Sequence, residues 1–510
     1  MDIEQLKEDM RTGVITVDRL VGVVGTLERE LQSARQALEQ AKRRIAELEQ
    51  RLGHSPSAKV SEPFSVRAEE QRQAARGKKH GKRKRRARGG RIPTAEKVAQ
   101  AVRTEKVFPA GVPEADCRLS HTRPVWRLEN GQAVLVAYAI YRGPKNQYGQ
   151  IPGVFGRSEF GMEIVLAIAY QVYFVGLSFD KVCLLMHFFE NLNLRKSQAD
   201  ALLNRLARQW EAEFDLLCLL LANSLVVHTD ETGWSIHSVW AFLSEKVRVL
   251  FFGVHKDAQT LQQILDPATF AGIVISDDAA VYANFTQAQK CWAHFLRKAI
   301  KLTLMEPANT AYRQFTDRLL EIYHEACRVQ RDRRLSREGR KGKVALLDDA
   351  ILELCAPMWA AELPPGEGPE DDYRRLCNEL MRVMLAQQLF TFVTAEPVAK
   401  PNGEMLPVAG TNNEAERTLR SPAQARDTGR TNKTPAGARR QTVIVSVLES
   451  LRQYLVTFTL TSVIEEIRCW FTRGQSCFAR LAENLGLIDA DPWSDGRPLL
   501  LDRVLPLPSG

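Results

Sequence analysis

The chain has 510 residues, 45% of them hydrophobic, with 70 lysines and arginines against 61 aspartates and glutamates, a formal net charge of +9. This composition excludes a wholly disordered chain, allows roughly three domains at about 150 residues each, and favours a polyanionic partner over an acidic one. The nine cysteines are scattered and never spaced Cys-x-x-Cys, which reads as buried free thiols of a reducing compartment.

The acidic opening Met1-Asp2-Ile3-Glu4-Gln5 has no apolar core, so no signal peptide is expected. The longest apolar tract, Phe214 to Val227, falls short of the roughly 20 residues that span a bilayer, so no membrane partner is expected either. In residues 1–54, the series Val17, Leu20, Val24, Leu27, Leu31, Ala34, Leu38, Ala41, Ile45, Leu48 and Leu52 alternates steps of three and four. Sustained for about five heptads, this seam predicts a coiled-coil helix and a homo-oligomer, the alternative being an amphipathic helix folded back on its own chain. Residues 55–104 lose the periodicity and turn to Ser, Pro, Gly, Lys and Arg, culminating in the run Lys78 to Arg88. Such dense like charge predicts a basic disordered linker, in which Lys82, Arg83, Lys84, Arg85 and Arg86 contact DNA phosphates without reading sequence, the alternative being a merely solvated linker.

Residues 105–158 hold short strand-like runs such as Ala133 to Tyr141; Cys117 and His121 are too few ligands for a structural zinc, leaving a degenerate zinc-binding-like segment. Residues 159–224 read as a helical, DNA-binding-like region. Its stretch Leu194 to Trp210 is either a helix-turn-helix reader of DNA or plain helical packing, and both readings stand. Residues 225–304 predict strands ending at Asp230, over Val239–Leu243, Val247–Val254 and Ile273–Ser276, with a helix at Ala258–Leu265. Cys291-Trp292-Ala293-His294 then leads a helix bearing Arg297, Lys298 and Lys301. The 139 positions from Asp277 to Glu416 are too many for a loop, and heptad-like spacing makes residues 305–400 a helical insertion. Residues 401–490 return to the core with the helix of Glu416, a second basic stretch from Arg417 to Arg440, and further helices; residues 491–510 read as a loose tail. The expected fold class is therefore α/β: a ribonuclease-H-like catalytic core with a helical insertion, preceded by the coiled-coil helix and the basic linker.

Three stretches carry the chemistry: His228-Thr229-Asp230-Glu231-Thr232, Ile275-Ser276-Asp277-Asp278 and Thr411-Asn412-Asn413-Glu414-Ala415-Glu416-Arg417. Asp230 and Asp277 each end an apolar run, and in open α/β sheets sites lie outside the carboxyl ends of neighbouring strands. Attack on a phosphodiester must shed a proton and load charge onto the leaving oxygen, and two Mg2+ ions roughly 3.5–4 Å apart do both. Three carboxylates without His or Cys suit Mg2+, with Mn2+ as substitute, better than Zn2+. Residues two apart on a helix face nearly opposite ways. Glu414 shares its face with Arg417, Thr418 and Ser421, which reads as solvent, whereas Glu416 lies with Leu419 and Ala423, which read as packing. Glu416 is therefore the expected third ligand, with Asn412 or Asn413 capping the helix start and Arg420 near a DNA phosphate. His294, Arg297 and Arg417 complete the candidate DNA contacts; His294 either approaches the scissile phosphate or stabilises a helix start. Glu231 reads as locally paired, Asp278 as a turn residue and Trp292 as core.

At these motifs, together with Ser276-Asp277 to Tyr282, Cys291-Trp292-Ala293-His294 and Asn412 to Arg420, the chain resembles the transposases of the insertion sequence 66 family, bacterial DDE enzymes with a ribonuclease-H-like core. The resemblance runs from about residue 150 to 455. It implies catalytic, metal-binding carboxylates at Asp230, Asp277 and Glu416, and a leucine-rich helix at residues 17–52. It further implies DNA cleavage at terminal inverted repeats, strand transfer into target DNA, accessory transposition proteins as partners, and a place in the bacterial cytoplasm with the nucleoid. The chain departs from the family pattern in lacking the cysteine-rich segment before the core, in Asp278 where Gly is usual, and in Asp427 after Arg426. The alternative reading is a catalytically silent DNA-binding accessory or regulatory protein, and a third is a structure-specific nuclease of the same fold.

Overall fold

The computed structural model describes residues 92–359 and 368–488, with Asp502, Val504, Leu505 and scattered positions between Gly25 and Arg43. Two compact units divide after Arg91. In the first, described positions such as Gln32, Arg35, Glu39 and Lys42 are helical and exposed, and Lys42 pairs with Glu39 at 3.2 Å. The apolar seam and the run Lys78 to Arg88 lie outside the described residues.

The second unit begins earlier than the linker boundary expected at residue 104. Helix α1 (Thr94–Ala99) and strand β1 (Arg103–Val107) precede β2 (Arg118–Glu129) and β3 (Gln132–Arg142), in a sheet ordered β1-β3-β2. The β2–β3 hairpin turns on Asn130 (φ 50°) and Gly131 (φ 76°), the Asn-Gly pair whose left-handed backbone matches strand twist. This sheet occupies the segment read as zinc-binding-like. The Cys117 thiol donates to the Pro113 carbonyl at 3.3 Å, His121 adjoins Ser120 at 3.1 Å, and neither joins a cluster of metal-ligating side chains among the described residues.

Helices α2 (Met162–Tyr173), α3 (Phe179–Glu190) and α4 (Lys196–Ala222) follow. The stretch Leu194 to Trp210 supplies the first half of α4, where Ala199, Leu202, Leu203, Leu206 and Trp210 are buried at helical spacing. The main sheet comprises β4 (Val226–Gly233), β5 (Ser238–Ser244), β6 (Arg248–Val254), β7 (Ile273–Ser276) and β8 (Ala288–Lys290), ordered β6-β5-β4-β7-β8, with α5 (Ala258–Ile264) between β6 and β7. β6, β5 and β4 are antiparallel, whereas β4, β7 and β8 run parallel. Every residue of β5 is buried, which its uninterrupted apolar run requires of a central strand.

The chain continues through α6 (Trp292–Met305), α7 (Thr310–Arg331), α8 (Arg337–Cys355), α9 (Pro369–Leu385), α10 (Thr391–Thr394), the short pair β9 (Val398–Ala399) and β10 (Met405–Leu406), α11 (Asn413–Asp427), α12 (Pro435–Tyr454), α13 (Leu460–Arg473) and α14 (Cys477–Asn484). Helices α7 to α9 bury their own core around Leu319, Ile322, Ile351 and Leu380, continuous with Trp292 and Phe295 of α6 and Ile275 of β7. Trp292 is fully buried and its indole N–H donates to the Leu389 carbonyl at 2.8 Å.

The exposed edge of β6 is covered by α12. The hydroxyls of Thr442, Ser446 and Ser450 accept from the backbone N–H groups of Phe252, Leu250 and Arg248 at 2.9, 2.9 and 3.0 Å. Ser446 and Ser450 also donate back to the carbonyls of Leu250 and Arg248. The spacing works because four helical residues advance about 6 Å and two strand residues about 6.6 Å. An edge that would otherwise recruit another strand is closed.

The second basic stretch ends in buried pairs rather than a DNA-facing surface. Arg440 pairs with Asp200 and donates to the Tyr173 hydroxyl at 2.7 Å. Arg439 pairs with Glu211 at 3.0 Å and with Asp502 at 2.7 Å, and donates to the Leu505 carbonyl. The tail read as loose therefore returns to the core at Leu505, which is buried. Among the described residues, no helix is long and apolar enough to cross a membrane.

Candidate metal centre

The parallel pairing of β4 with β7 aligns Val226 with Ile273, Val227 with Val274 and His228 with Ile275. Because strand side chains repeat every two residues, this register continued by two sets Asp230 beside Asp277. Asp230 is a strand end only on this side, since β4 goes on pairing with β5 as far as Gly233. The half-buried Asp230 carboxyl is pushed up to about 7, first by burial, then by the charges of Glu231, Asp277 and Glu416, against a hydrogen bond from the Glu231 N–H. The charges of Asp277, just past β7, and of Glu416 on α11 thus both reach Asp230.

Asn412 ties these elements together. It is fully buried, its amide donates to the Thr229 carbonyl at 2.7 Å, and its backbone N–H donates to the Cys291 sulfur at 3.1 Å. Asn412 occupies the N-cap position of α11 but its side chain makes no capping bond: its NH2 group is turned to β4 and its Oδ1 accepts from no group among the described residues. One turn on, Glu416 accepts from Arg297 of α6 at 2.5 Å, with the His294 ring nitrogen 3.7 Å from the same oxygen. Glu414 is the more exposed of the two, at 43% of its side chain against 25% for Glu416, and it pairs with Arg248 of β6. Burial, and then Arg297, push His294 below its ordinary value.

The neighbouring acids are engaged elsewhere. Glu231 accepts from the Tyr282 hydroxyl and from Lys256, the latter at 2.7 Å. Asp278 pairs with Arg382 of α9. Asp277 accepts from the Ala279 N–H at 3.1 Å, while its carbonyl accepts from the buried Lys290 at 3.1 Å. Burial pushes Lys290 below its ordinary value. Sequence reasoning missed Lys290, Asn412 as a tie, Lys256 and the bond from the Tyr282 hydroxyl; the one sequence cue for Lys290 was its position directly before Cys291.

Of the candidate DNA contacts, Arg417 and Arg420 are exposed on α11, Arg297 and His294 stand at Glu416, and Lys82 to Arg86 lie outside the described residues. No curated protein matches the chain in a sequence search. The family model described as Transposase IS66 family matches residues 157–440, a span that covers more than half of the chain and includes Asp230, Asp277, α6 and Glu416. The chain belongs to the IS66 transposase family.

Proposed function

We propose that this chain is a DDE transposase: a metal-dependent enzyme that hydrolyses a phosphodiester at the ends of a mobile element and transfers the freed strand into target DNA. The observation that supports this reading is the parallel register of β4 with β7, which continued by two residues sets Asp230 beside Asp277, with the start of the Glu416 helix tied to β4 through Asn412. The sheet order β6-β5-β4-β7-β8, with the crossover α5 and the later helix α11, supports a ribonuclease-H-like core. Carboxylate oxygens are the donor set of a hard divalent cation, so Asp230, Asp277 and Glu416 would hold two Mg2+ ions, with Mn2+ as substitute. When bound, these supply an activated attacking oxygen and charge stabilisation at the leaving oxygen.

The chain's own residues do the rest. Asp230 gives up its proton as the centre is loaded, which higher pH favours. Lys290 anchors the backbone at Asp277, and Asn412 anchors the turn that presents Glu416. Arg297, half-exposed, leaves Glu416 for a phosphate oxygen, with His294 beside it and Arg417 and Arg420 along the same DNA backbone. Water opens the P–O bond at the element's end, leaving a 3′-hydroxyl, which then attacks a target phosphodiester so that one bond forms for each broken. The heptad seam supports a homo-oligomer holding paired inverted repeats, and the basic run supports sequence-independent phosphate contact. Such an enzyme works at the nucleoid in the bacterial cytoplasm, alongside accessory transposition proteins.

The test is a labelled duplex carrying the element's terminal repeat, incubated with the full chain and Mg2+. A nick at the repeat boundary that a chelator abolishes is expected. Binding without nicking would instead mark a silent DNA-binding accessory protein, and nicking without strand joining a nuclease.

A further inference from the structure

We propose that Cys291, His294 and Glu416 form a Zn2+ site that competes with the Mg2+ centre for Glu416. One ligand atom from each of the three lies within 4.8 Å of the other two, the only such cluster among the described residues. A tetrahedral site with Zn–S about 2.3 Å and Zn–N or Zn–O about 2.0–2.1 Å needs ligand atoms about 3.3–3.6 Å apart. The His294 nitrogen and Glu416 oxygen, at 3.7 Å, are already near that spacing. The Cys291 sulfur, within 4.8 Å of both, has at most about 1.2 Å to close.

The elements that carry the ligands are fixed. Cys291 is the N-cap of α6 and His294 follows three residues on, the helical spacing that brings two side chains to one face. Glu416 arrives on α11, whose start is bound to the Cys291 sulfur through the Asn412 N–H at 3.1 Å. An N–H donated to the sulfur is the outer-shell contact that steadies a metal-bound thiolate. Cys291 is buried, while about a third of the His294 side chain and a quarter of that of Glu416 are exposed, so a cation enters from their side.

The donor set selects the ion. Thiolate, imidazole and carboxylate suit Zn2+, whereas Mg2+ has no use for sulfur. On binding, the Cys291 S–H bond breaks, its proton goes to solvent, and a Zn–S bond forms; His294 gives a lone pair and Glu416 a carboxylate oxygen, leaving the fourth position to water. Arg297, which donates to Glu416 at 2.5 Å and stands 3.5 Å from the His294 nitrogen, now occupies the approach and must swing out, which its half-exposed side chain permits. The binding stands on these side chains alone; the inhibition that follows from losing Glu416 rests on the proposed function.

The experiment titrates the full, metal-free chain with Co2+, in the absence of DNA. A thiolate-to-cobalt charge-transfer absorption that saturates at one Co2+ per chain is expected, which Zn2+ bleaches and Mg2+ does not, whatever further Co2+ the carboxylates take. The band should vanish in Cys291→Ser, and His294→Ala should weaken Co2+ binding by about tenfold or more. No band with folded wild type, a band surviving in Cys291→Ser, or unchanged affinity in His294→Ala would overturn the site. Zn2+ sufficient to fill it should then slow Mg2+-dependent nicking by about tenfold or more. Nicking that proceeds unchanged with the site full overturns the inhibition, whereas absence of nicking under every condition speaks against the transposase reading and not against the Zn2+ site.

Discussion

Removing a carboxylate from the centre should stabilise the metal-free chain, and the size of the effect can be worked from Asp230. Its carboxyl moves from 3.8 to about 7 on folding, so between those values the folded chain holds a proton that the unfolded chain has lost. Stability therefore falls as pH rises through that window, and the penalty is complete above about 7. At 1.36 kcal/mol per unit the ceiling is about 4 kcal/mol at pH 8 and about 2 kcal/mol at pH 5, and solvent screening of a half-buried carboxyl roughly halves both. Asp230→Asn, neutral at every pH, mimics the protonated acid and should recover roughly 2 kcal/mol at pH 8 and about half as much at pH 5. Urea unfolding of both proteins at the two pH values, without divalent metal, measures it. With Mg2+ in large excess over its dissociation constant, the wild type should gain about 2–3 kcal/mol and the variant far less. A variant less stable than wild type at pH 8, or equal gains from Mg2+, would refute the reasoning.

Other outcomes follow from neighbouring residues. Glu416→Gln should abolish nicking of a terminal-repeat duplex, while Glu414→Gln, which loses only the Arg248 pair, should stay within about tenfold of wild type, roughly 1.4 kcal/mol on the barrier; the opposite pattern would hand the role to Glu414. Asn412→Ala leaves the buried Thr229 carbonyl without its donor and should cost about 1–3 kcal/mol in denaturant unfolding, with slower nicking because Glu416 loses its anchor; unchanged stability would show that the tie is dispensable. Neutralising Lys82 to Arg86 should weaken binding to every DNA alike and flatten the log–log salt dependence by roughly 0.9 for each phosphate no longer neutralised, and an unaltered slope in filter binding would remove this run from the interface.

What the sequence exposes is what local pattern encodes. Apolar runs closed by aspartate mark where β4 parts from β7 and where β7 ends, though β4 itself continues to Gly233, and the strands expected at residues 239–243 and 247–254 form as β5 and β6, because a buried strand must be continuously apolar. Three kinds of feature stayed hidden. β8 is three residues long, too short for any period to show, so Lys290 had no strand to sit on. Arg439 and Arg440 look like a phosphate-binding stretch until Glu211 and Asp200, more than 200 residues earlier, neutralise them inside the fold. Asn412 carries the residue type of a cap, yet the nearby Thr229 carbonyl is the acceptor that its side chain takes. The Thr442, Ser446, Ser450 series is visible as a period of four, but its purpose appears only beside an edge strand whose spacing it matches. Helical face analysis likewise separates Glu416 from Glu414 without revealing that Arg248 waits on β6 for the latter.

The central claim is that Asp230, Asp277 and Glu416 hold the metal pair. The most direct measurement is a crystal structure of the chain grown with Mn2+ and a terminal-repeat DNA end, read by anomalous scattering. The account predicts two Mn2+ peaks roughly 3.5–4 Å apart, contacting Asp230, Asp277 and Glu416, with Arg297 moved off Glu416. Metal bound away from these three carboxylates, or coordinated by Glu414 in place of Glu416, would contradict it.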